Sequence, residues 1–370
     1  MFWLFIIAVA AQCGYALYFF IRVLSLPVKQ TEAIERLPVS IIICAKNEAD
    51  NLRKNLPLIL EQDHHDKHGK PLFEVIVVND ASTDATAKVL QEMELRYGHL
   101  RKIVIATDAQ RTLKGKKFAL SKGVVLAKHQ QLILTDADCT PASRHWVEEM
   151  VAPLAAGKAI VVGYGGYNKT GRLLNAFIRW ETVHSFLQYS TYALAGKPYM
   201  AVGRNLACTK QALLKAQSSP VWNALPSGDD DLLVSISGDE KNVAVVCDSS
   251  AFTYSDAKSN IKEWIAQKQR HLSTGKYYKT DIKLLLGGYG VSHAIMWLSF
   301  FILLSMPCSP LVWAIMAGRC IIYWLLWIVT ANKLEEKKLF YFFPLFDIGW
   351  MIYNFAFLPY ITWKNKQHWT

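Results

Sequence analysis

Four long apolar runs lie at the two ends of the chain. Residues 2–21 are almost continuously apolar, and three apolar runs rich in aromatic residues occupy 289–306, 311–330 and 339–363. A helix of about 20 apolar residues is long enough to cross a bilayer. The pattern therefore predicts one N-terminal membrane span and about three C-terminal spans.

The middle of the chain has the pattern of an α/β domain. Short apolar or β-branched runs alternate with segments of mixed polarity that predict helices. The predicted strands are 39–44, 73–78, 102–106, 131–134, 159–163 and 243–246. Alternation of strands and helices at this spacing is typical of parallel βαβ units. We therefore divide the chain into a transmembrane helix at 1–24, an α/β domain at 38–280 and a C-terminal membrane region at 285–363.

Composition agrees with a water-exposed domain joined to membrane spans. The chain is 52% hydrophobic and 19% charged, and its mean hydropathy of +0.14 is positive. The net charge of +11 is compatible with nucleic acid, anionic lipid or phosphorylated substrates. The basic residues are dispersed without an aromatic–basic platform, which argues against nucleic acid. The seven scattered cysteines predict free thiols in a reducing compartment.

Charges beside the apolar runs predict the orientation in the membrane. The first run has no preceding basic segment and no clear cleavage site, which favours an uncleaved anchor over a signal peptide. Arg22, Lys29 and Arg36 follow it, so the α/β domain is expected in the cytoplasm. Counting spans from a cytoplasmic α/β domain also places the charged segment 331–338 in the cytoplasm, where basic residues are expected. The same count places the lysines within 364–366 outside the cytoplasm. Either the last apolar run re-enters the membrane, or the chain departs weakly from the positive-inside rule.

Two further segments have open interpretations. The polar loop containing His64, His65 and His68 could bind a metal, although solvated histidines are the simpler interpretation. Residues 171–194 are apolar and aromatic but contain four charged or histidine residues. We expect an amphipathic helix at the membrane surface there, with an ordinary core helix as the alternative.

Two carboxylates directly follow the strand predicted at 131–134. Asp136 and Asp138 are two residues apart, so in extended chain their side chains point to the same face. Ligands of open α/β sheets bind beyond the carboxyl ends of the strands. Paired carboxylates there can hold Mg²⁺ or Mn²⁺, which in turn binds phosphate oxygens. The alternative is a solvated turn in which Asp138 caps the next helix.

Four segments of the middle region occur in a familiar order and spacing. They are Ser-Ile-Ile-Ile-Cys-Ala-Lys-Asn-Glu at 40–48, Val-Val-Asn-Asp-Ala-Ser-Thr-Asp at 77–84, Gly-Lys-Lys-Phe-Ala-Leu at 115–120 and Thr-Asp-Ala-Asp at 135–138. Together they resemble the catalytic domain of glycosyltransferase family 2. The resemblance implies a nucleotide-sugar-binding GT-A fold, with a mixed, mostly parallel sheet and flanking helices. It also implies inverting transfer of a sugar from a nucleotide-sugar donor.

The resemblance assigns donor contacts to residues that match the motifs. Asn47, Glu48, Asp80 and Lys116 take donor-binding positions, with Asp80 at the uracil or other base. The family usually has two acidic residues where this chain has Asn79 and Asp80, a departure that bears on which nucleotide is bound.

Asp136 and Asp138 take the position that holds the metal, Mg²⁺ or Mn²⁺, and Asp136 also lies at the donor diphosphate. A metal and a lysine aimed at that leaving group would stabilise its growing charge. Without the motifs, Lys116 would be interpreted as a surface lysine in a basic loop.

Two later segments match the acceptor side of the family's site. Gly203 and Asn205 match a Gly-x-Asn segment, and Asp229 with Asp230 matches an acidic pair. Asp230 takes the position of the base that removes a proton from the acceptor hydroxyl. The negative Asp229 and the donor phosphates are expected to raise its pKa. The alternative for 229–231 is an acidic cluster at a helix N-terminus.

A third late segment resembles the Gln-x-x-Arg-Trp motif of membrane-bound cellulose, chitin and hyaluronan synthases. Gln267 and Arg270 match the motif, and Arg270 would suit the donor diphosphate. His271 stands on the acceptor side, where the motif has a tryptophan, and it offers less apolar area for stacking on a sugar. An amphipathic helix with a basic face is the alternative.

The sequence thus predicts a metal-dependent, inverting glycosyltransferase that is multi-pass in a bacterial inner or cell membrane, with its catalytic domain in the cytoplasm. The donor is expected to be a UDP-sugar and the acceptor a lipid-linked sugar or a polysaccharide. Single transfer and processive synthesis both remain open, and the oligomeric state is unknown. The alternative from another class is a catalytically silent relative that binds nucleotide-sugars or scaffolds an assembly. A Rossmann dehydrogenase is excluded because no Gly-x-Gly-x-x-Gly follows the first strand.

Overall fold

The computed structural model describes residues 1–26, 36–226, 228–307 and 309–362. The expectations for Lys29, Cys308 and the lysines within 364–366 lie outside these residues. The chain forms two compact units. The sheet unit comprises the described residues of Pro27–Asn168 together with Pro198–Ala257. The helical unit comprises Met1–Leu26, Lys169–Lys197 and the described residues of Lys258–Asn365.

Ten strands lie in the sheet unit. In chain order they are β1 Val39–Ala45, β2 Phe73–Asp80, β3 Leu100–Ile105, β4 Gln131–Asp136, β5 Thr140–Pro141, β6 Ile160–Val162, β7 Gly165–Tyr167, β8 Leu206–Thr209, β9 Val243–Val245 and β10 Thr253–Ser255.

The described residues of the two units also form thirteen α-helices. They are α1 Phe2–Tyr18, α2 Ala49–Leu60, α3 Thr86–Arg96, α4 Lys116–Leu126, α5 Trp146–Ala155, α6 Leu173–Leu194, α7 Lys210–Gln217, α8 Pro220–Ala224, α9 Asp229–Ser237, α10 Ile261–Leu272, α11 Thr280–Leu304, α12 Pro310–Lys333 and α13 Phe343–Thr362.

The main sheet has seven strands in the order β3-β2-β1-β4-β8-β6-β9. The first four are mutually parallel, while β8 is antiparallel to both of its neighbours. Every residue of β1 and β2 is buried, as their β-branched sequences predict for central strands covered on both faces. The carboxyl ends of β2, β1 and β4 therefore meet along one edge, where ligands of such sheets bind.

A second sheet was not predicted. It consists of β5, β10 and β7, with β10 antiparallel to β5 and parallel to β7. These strands are only two or three residues long. A run that short shows no hydrophobic periodicity, so the sequence offered no signal for it.

The helical unit contains four helical segments that are long and apolar enough to cross a membrane. They are Phe2–Ser25, Thr280–Leu304, Pro310–Lys333 and Lys337–Pro359. They correspond to the four runs predicted from hydropathy. Two segments that we had included in the 38–280 domain, 169–197 and 258–280, group with these helices instead.

Helix α6 differs from its predicted form. Most of its length is buried, including Trp180, Val183 and Tyr192, which lie on different sides of the helix. It packs against α12 and α13. Its charged residues are paired: Arg179 with Glu336, and Glu181 with Lys268. The interpretation as a surface-lying amphipathic helix is therefore wrong, because paired charges allow the helix to be buried.

Arg319 and Asp347, which both lie inside the apolar runs, form an ion pair. Arg319 Nη1 lies 2.5 Å from Asp347 Oδ2. Asp347 also contacts His293 Nε2 at 3.2 Å and accepts a hydrogen bond from Trp297 Nε1 at 3.1 Å. Arg319 Nη2 donates to Gln12 Oε1 at 3.0 Å. One buried polar cluster thus joins α1, α11, α12 and α13.

Candidate active site

The candidate site lies at the carboxyl ends of β2, β1 and β4. In the register of the sheet, Cys44 of β1 is opposite Asp136 of β4 on one side and Val78 of β2 on the other. Burial raises the pKa of the Cys44 thiol to about 12, Lys116 opposes that rise, and Asp229, Asp136 and Asp80 add to it. The pKa of one thiol thus depends on charged groups at two strand ends and on one group each from α4 and α9. These groups therefore lie close together in the structure.

Lys116 links two of the acidic groups. Its Nζ lies 2.5 Å from Asp136 Oδ1 and 3.6 Å from Asp229 Oδ2. Burial alone would lower the pKa of Lys116, but Asp136 and Asp229 hold it well above its usual value. The ammonium is therefore a fixed positive charge between the end of β4 and the start of α9. The interpretation as a solvated surface lysine is wrong.

Asp136 and Asp138 form the candidate metal centre. Ligand atoms of Asp136, Asp138 and Cys139 lie within 4.8 Å of one another. Burial and the neighbouring Asp136 raise the pKa of Asp138. Burial, with Asp138 and Asp136, raises the pKa of the Cys139 thiol well above its usual value, which keeps the thiol neutral. The two carboxylates are the hard oxygen ligands that Mg²⁺ and Mn²⁺ prefer, so the residues present fit such an ion.

Asp230 is held by two backbone amides. Gly203 N–H donates to its Oδ2 at 2.7 Å, and Asp231 N–H donates to its Oδ1 at 2.9 Å. Burial and the charge of Asp229 raise the pKa of Asp230 to about 6, while the two amides oppose the rise. A carboxylate with such a pKa is ionised at neutral pH yet basic enough to take a proton, as general-base catalysis requires.

Part of the chain is similar to a known protein family. Residues 40–203, a little under half of the chain, match the model of the family described as glycosyl transferase family 2. The matched segment is thus similar to glycosyl transferase family 2 over less than half of the chain. It includes the strand ends that carry Asp80, Asp136 and Asp138, but the family match ends before Asp229 and Asp230.

Two curated relatives are glycosyltransferases by name. Probable glycosyltransferase YdaM of Bacillus subtilis (strain 168) is 31% identical over 159 residues, which is 42% of this chain and 36% of that protein. Glycosyltransferase AglE of Haloferax volcanii is 29% identical over 125 residues, which is 34% of this chain and 38% of that protein. The matched part of the chain thus spans little more than a third of the length of these relatives.

A solved structure shares the fold over nearly the whole chain. The mannosyltransferase PcManGT from Pyrobaculum calidifontis, solved in complex with GDP-Man and Mn²⁺, has a TM-score of 0.53 and 16% sequence identity. The similarity covers 95% of this chain and 98% of that one. The matched segment 40–203 therefore has the GT-A fold, as the motifs predicted.

Asp80 has a partner that the sequence analysis missed. Its carboxylate is fully buried and pairs with Arg111, whose Nη2 and Nη1 lie 2.6 and 3.1 Å from the two oxygens. The Arg111 guanidinium also lies over the Phe118 ring, 5.4 Å from its centroid. Arg111 precedes α4 in a polar loop without periodicity, so no sequence signal indicated that it returns to Asp80.

Asn47 and Glu48 join the loops that follow β1 and β2. Asn47 has a positive φ of 57°. Its N–H donates to Ser82 Oγ at 2.9 Å, and its Oδ1 accepts from the Thr83 N–H at 2.8 Å. Glu48 N–H donates to Thr86 Oγ1 at 3.0 Å. Both residues thus shape the strand edge at the site, and direct donor contact by either one stays a prediction.

Asn205 does not face an acceptor. It is fully buried, and its Nδ2 donates to the carbonyls of Tyr164 at 2.9 Å and Ala251 at 2.7 Å. Its Oδ1 accepts from Trp146 Nε1 at 2.9 Å. These three bonds occupy both ends of the amide, so the assignment of Asn205 to the acceptor side is corrected to a structural one. Gly203, in contrast, does contact the proposed base.

The remaining predicted residues lie in the helical unit. Gln267, Arg270 and His271 are on α10, which runs from Ile261 to Leu272; the helix that the sequence analysis gave as the alternative for this segment is present. Arg270 Nη2 lies 3.4 Å from His271 Nε2. Their roles at the donor and acceptor stay predictions.

Proposed function

We propose that this chain transfers a sugar from a nucleotide-sugar to a membrane-associated acceptor with inversion at the anomeric carbon. The observation that carries the proposal is the convergence of Asp136, Lys116 and Asp229 at one strand edge. Next to it, two backbone amides hold the carboxylate of Asp230, the proposed general base, in place. An arrangement with a cation site and a basic carboxylate matches the two needs of the reaction: stabilising a leaving diphosphate and activating a hydroxyl.

The proposed step moves one proton and one glycosyl group. The acceptor hydroxyl oxygen bonds to the anomeric carbon as the bond from that carbon to the diphosphate oxygen breaks. Asp230 takes the hydroxyl proton, and the nucleoside diphosphate leaves with the bonding electrons. Lys116 contributes a fixed positive charge beside the diphosphate. A Mg²⁺ or Mn²⁺ ion held by Asp136 and Asp138 would supply further charge stabilisation to the leaving group.

The proposed donor is a UDP-sugar, with Asp80 at the nucleobase. Because the family usually has an acidic residue where this chain has Asn79, sugars carried by other nucleotides are tested as well. Four helical segments long enough to cross a membrane support an acceptor at the bilayer, either a lipid-linked sugar or a growing polysaccharide. The basic residues that follow the first span support a cytoplasmic catalytic domain.

The experiment uses the full chain in lipid nanodiscs, with release of nucleoside diphosphate as the signal. A panel of UDP- and GDP-sugars is tested with membrane lipid extract as acceptor, with Mn²⁺ and with EDTA. We expect one donor to give Mn²⁺-dependent release, and Asp230→Asn to lower the rate by about 100-fold or more. The matched control is Asp239→Asn, an exposed change in the same unit. Nucleotide binding without turnover by any donor would refute transfer and favour a silent nucleotide-sugar-binding relative.

Sizing the product separates the two kinds of transferase. A single added sugar on a lipid indicates single transfer, and a ladder indicates processive synthesis.

A further inference from the structure

Lys117 is a buried lysine that the proposed reaction does not use. It follows Lys116 directly, but its side chain is fully buried. Its Nζ donates to the backbone carbonyls of Trp222 at 2.8 Å and Leu225 at 3.1 Å. The same ammonium lies 4.7 Å from the centroid of the Trp222 ring. A charged group without a carboxylate partner in these contacts is costly to bury, so its position calls for a reason.

The segment that Lys117 holds leads directly to the proposed base. Trp222 lies in α8, and Leu225 follows that helix. Helix α9, with Asp229 and Asp230 in its first turn, begins four residues after Leu225. Fixing the carbonyls of Trp222 and Leu225 therefore fixes the chain shortly before the first turn of α9, from which both carboxylates project.

Gly115 makes a second contact to the same segment. It has a φ of +62°, and a Cβ built on it would lie 2.3 Å from the carbonyl oxygen of Pro226. Only glycine allows this approach, since the obstacle is backbone. Lys116, between Gly115 and Lys117, reaches Asp229. Three consecutive residues thus contact Trp222, Leu225, Pro226 and Asp229, and the middle one also contacts the candidate metal ligand Asp136.

We propose that Lys117 is a positioning residue that sets the place of Asp229 and Asp230 relative to Lys116 and Asp136. The proposal rests on the proposed function only for its effect on turnover. The positioning itself is a property of the chain at 222–226 and of the first turn of α9. Misplacing a catalytic group by about 1 Å can lower a rate by about 100-fold.

Lys117→Met keeps most of the length of the side chain and removes both hydrogen bonds. Lys117→Arg keeps the charge and can still donate. Lys122→Met is the matched control, because Lys122 is an exposed lysine of the same helix. With the donor that the wild type uses, we expect Lys117→Met to lower kcat by about 100-fold with a donor KM within about twofold. Lys117→Arg should recover at least about tenfold of that loss, and Lys122→Met should change neither parameter.

Hydrogen exchange of the full chain in nanodiscs tests the positioning without activity. Lys117→Met should speed exchange of the amides in 218–232 and leave those of β1 and β2 unchanged. Faster exchange throughout the sheet unit would indicate general unfolding and overturn the proposal, as would unchanged exchange at 218–232 or an unchanged kcat. If the wild type turns over no nucleotide-sugar, the proposed function fails, and the exchange of 218–232, compared with Lys117→Arg, still decides the role of Lys117.

Discussion

Gly203→Ala should move the pH dependence of the reaction in a direction that the structure fixes. The Gly203 N–H donates to Asp230 Oδ2 at 2.7 Å. A Cβ at position 203 would lie 3.3 Å from that same oxygen, and 3.7 Å from Asp230 Cβ and Cγ. The 3.3 Å separation from Oδ2 is closer than side chains normally pack, so the carboxylate must move by a few tenths of an ångström. The hydrogen bond from Gly203 is then weakened.

The size of the shift follows from the strength of that bond. A hydrogen bond to a charged group contributes about 1.5–3 kcal/mol. If weakening costs about 1 kcal/mol, and one pKa unit corresponds to about 1.4 kcal/mol, the pKa of Asp230 rises by about 0.7 units. The sign is upward because the amide favours the ionised carboxylate. The wild-type pKa is about 6, so the base is about half ionised at pH 6 and about one-sixth ionised in the variant.

The assay is kcat/KM from pH 5 to 8.5 with saturating Mn²⁺, since this parameter reports ionisations of the free enzyme. We expect the variant to be about threefold slower than wild type at pH 6 and nearly equal to it at pH 8. Gly98→Ala is the control, because a Cβ there meets nothing within 4 Å. A wild-type profile that is flat between pH 5 and 7, or a variant limb displaced to lower pH, would refute the role of Asp230 as the base.

Two further predictions concern stability. Arg319→Met leaves Asp347 without its closest cation and should lower stability by about 3–5 kcal/mol, seen as loss of monodisperse protein at a lower temperature. Combining Arg319→Met with Asp347→Leu should recover most of the lost stability. The control Ile321→Met, at an exposed position, should have no effect. Equal melting of Arg319→Met and wild type would contradict this reasoning. Asn205→Ala removes the hydrogen bonds of Trp146 Nε1 and of the Ala251 carbonyl to Asn205, while the Tyr164 carbonyl keeps its bond from the Thr253 N–H. The variant should lose about 3 kcal/mol or more of stability, measured by denaturant unfolding. The acceptor KM should stay unchanged, whereas a raised KM with normal stability would restore an acceptor role for Asn205.

The sequence predicted the structure best where burial determines both the pattern of apolar residues and the position of a strand. Central strands of a parallel sheet are buried on both faces, so β1, β2 and β4 were visible as apolar runs. Their polar ends then predicted which side chains meet at one edge, and Asp80 and Asp136 do lie at that edge. Asp230 was reached only through the family resemblance, because an acidic helix start is common without any catalytic role.

Residues whose partners are distant in the chain could not be predicted in the same way. Arg111 reaches Asp80 from an aperiodic loop, and Lys117 reaches two backbone carbonyls that carry no sequence signal. Asn205 matched a motif, yet its neighbours turned out to be Trp146 and two carbonyls from other segments. Helix α6 was misjudged because its charges suggested exposure, and their partners lie on α10 and at Glu336. Tertiary pairing of this kind is not local in sequence.

The interleaving of the two units along the chain limits how the protein can be divided. Removing the terminal regions at residues 26 and 258 would leave a fragment that still carries α6. That fragment would have lost α12 and α13, against which the helix packs, and would expose Trp180 and Val183 to water. Such a fragment would tend to self-associate even with an intact sheet. A water-soluble version of the sheet unit therefore requires bridging 168 to 198 with a polar linker, in addition to trimming both ends.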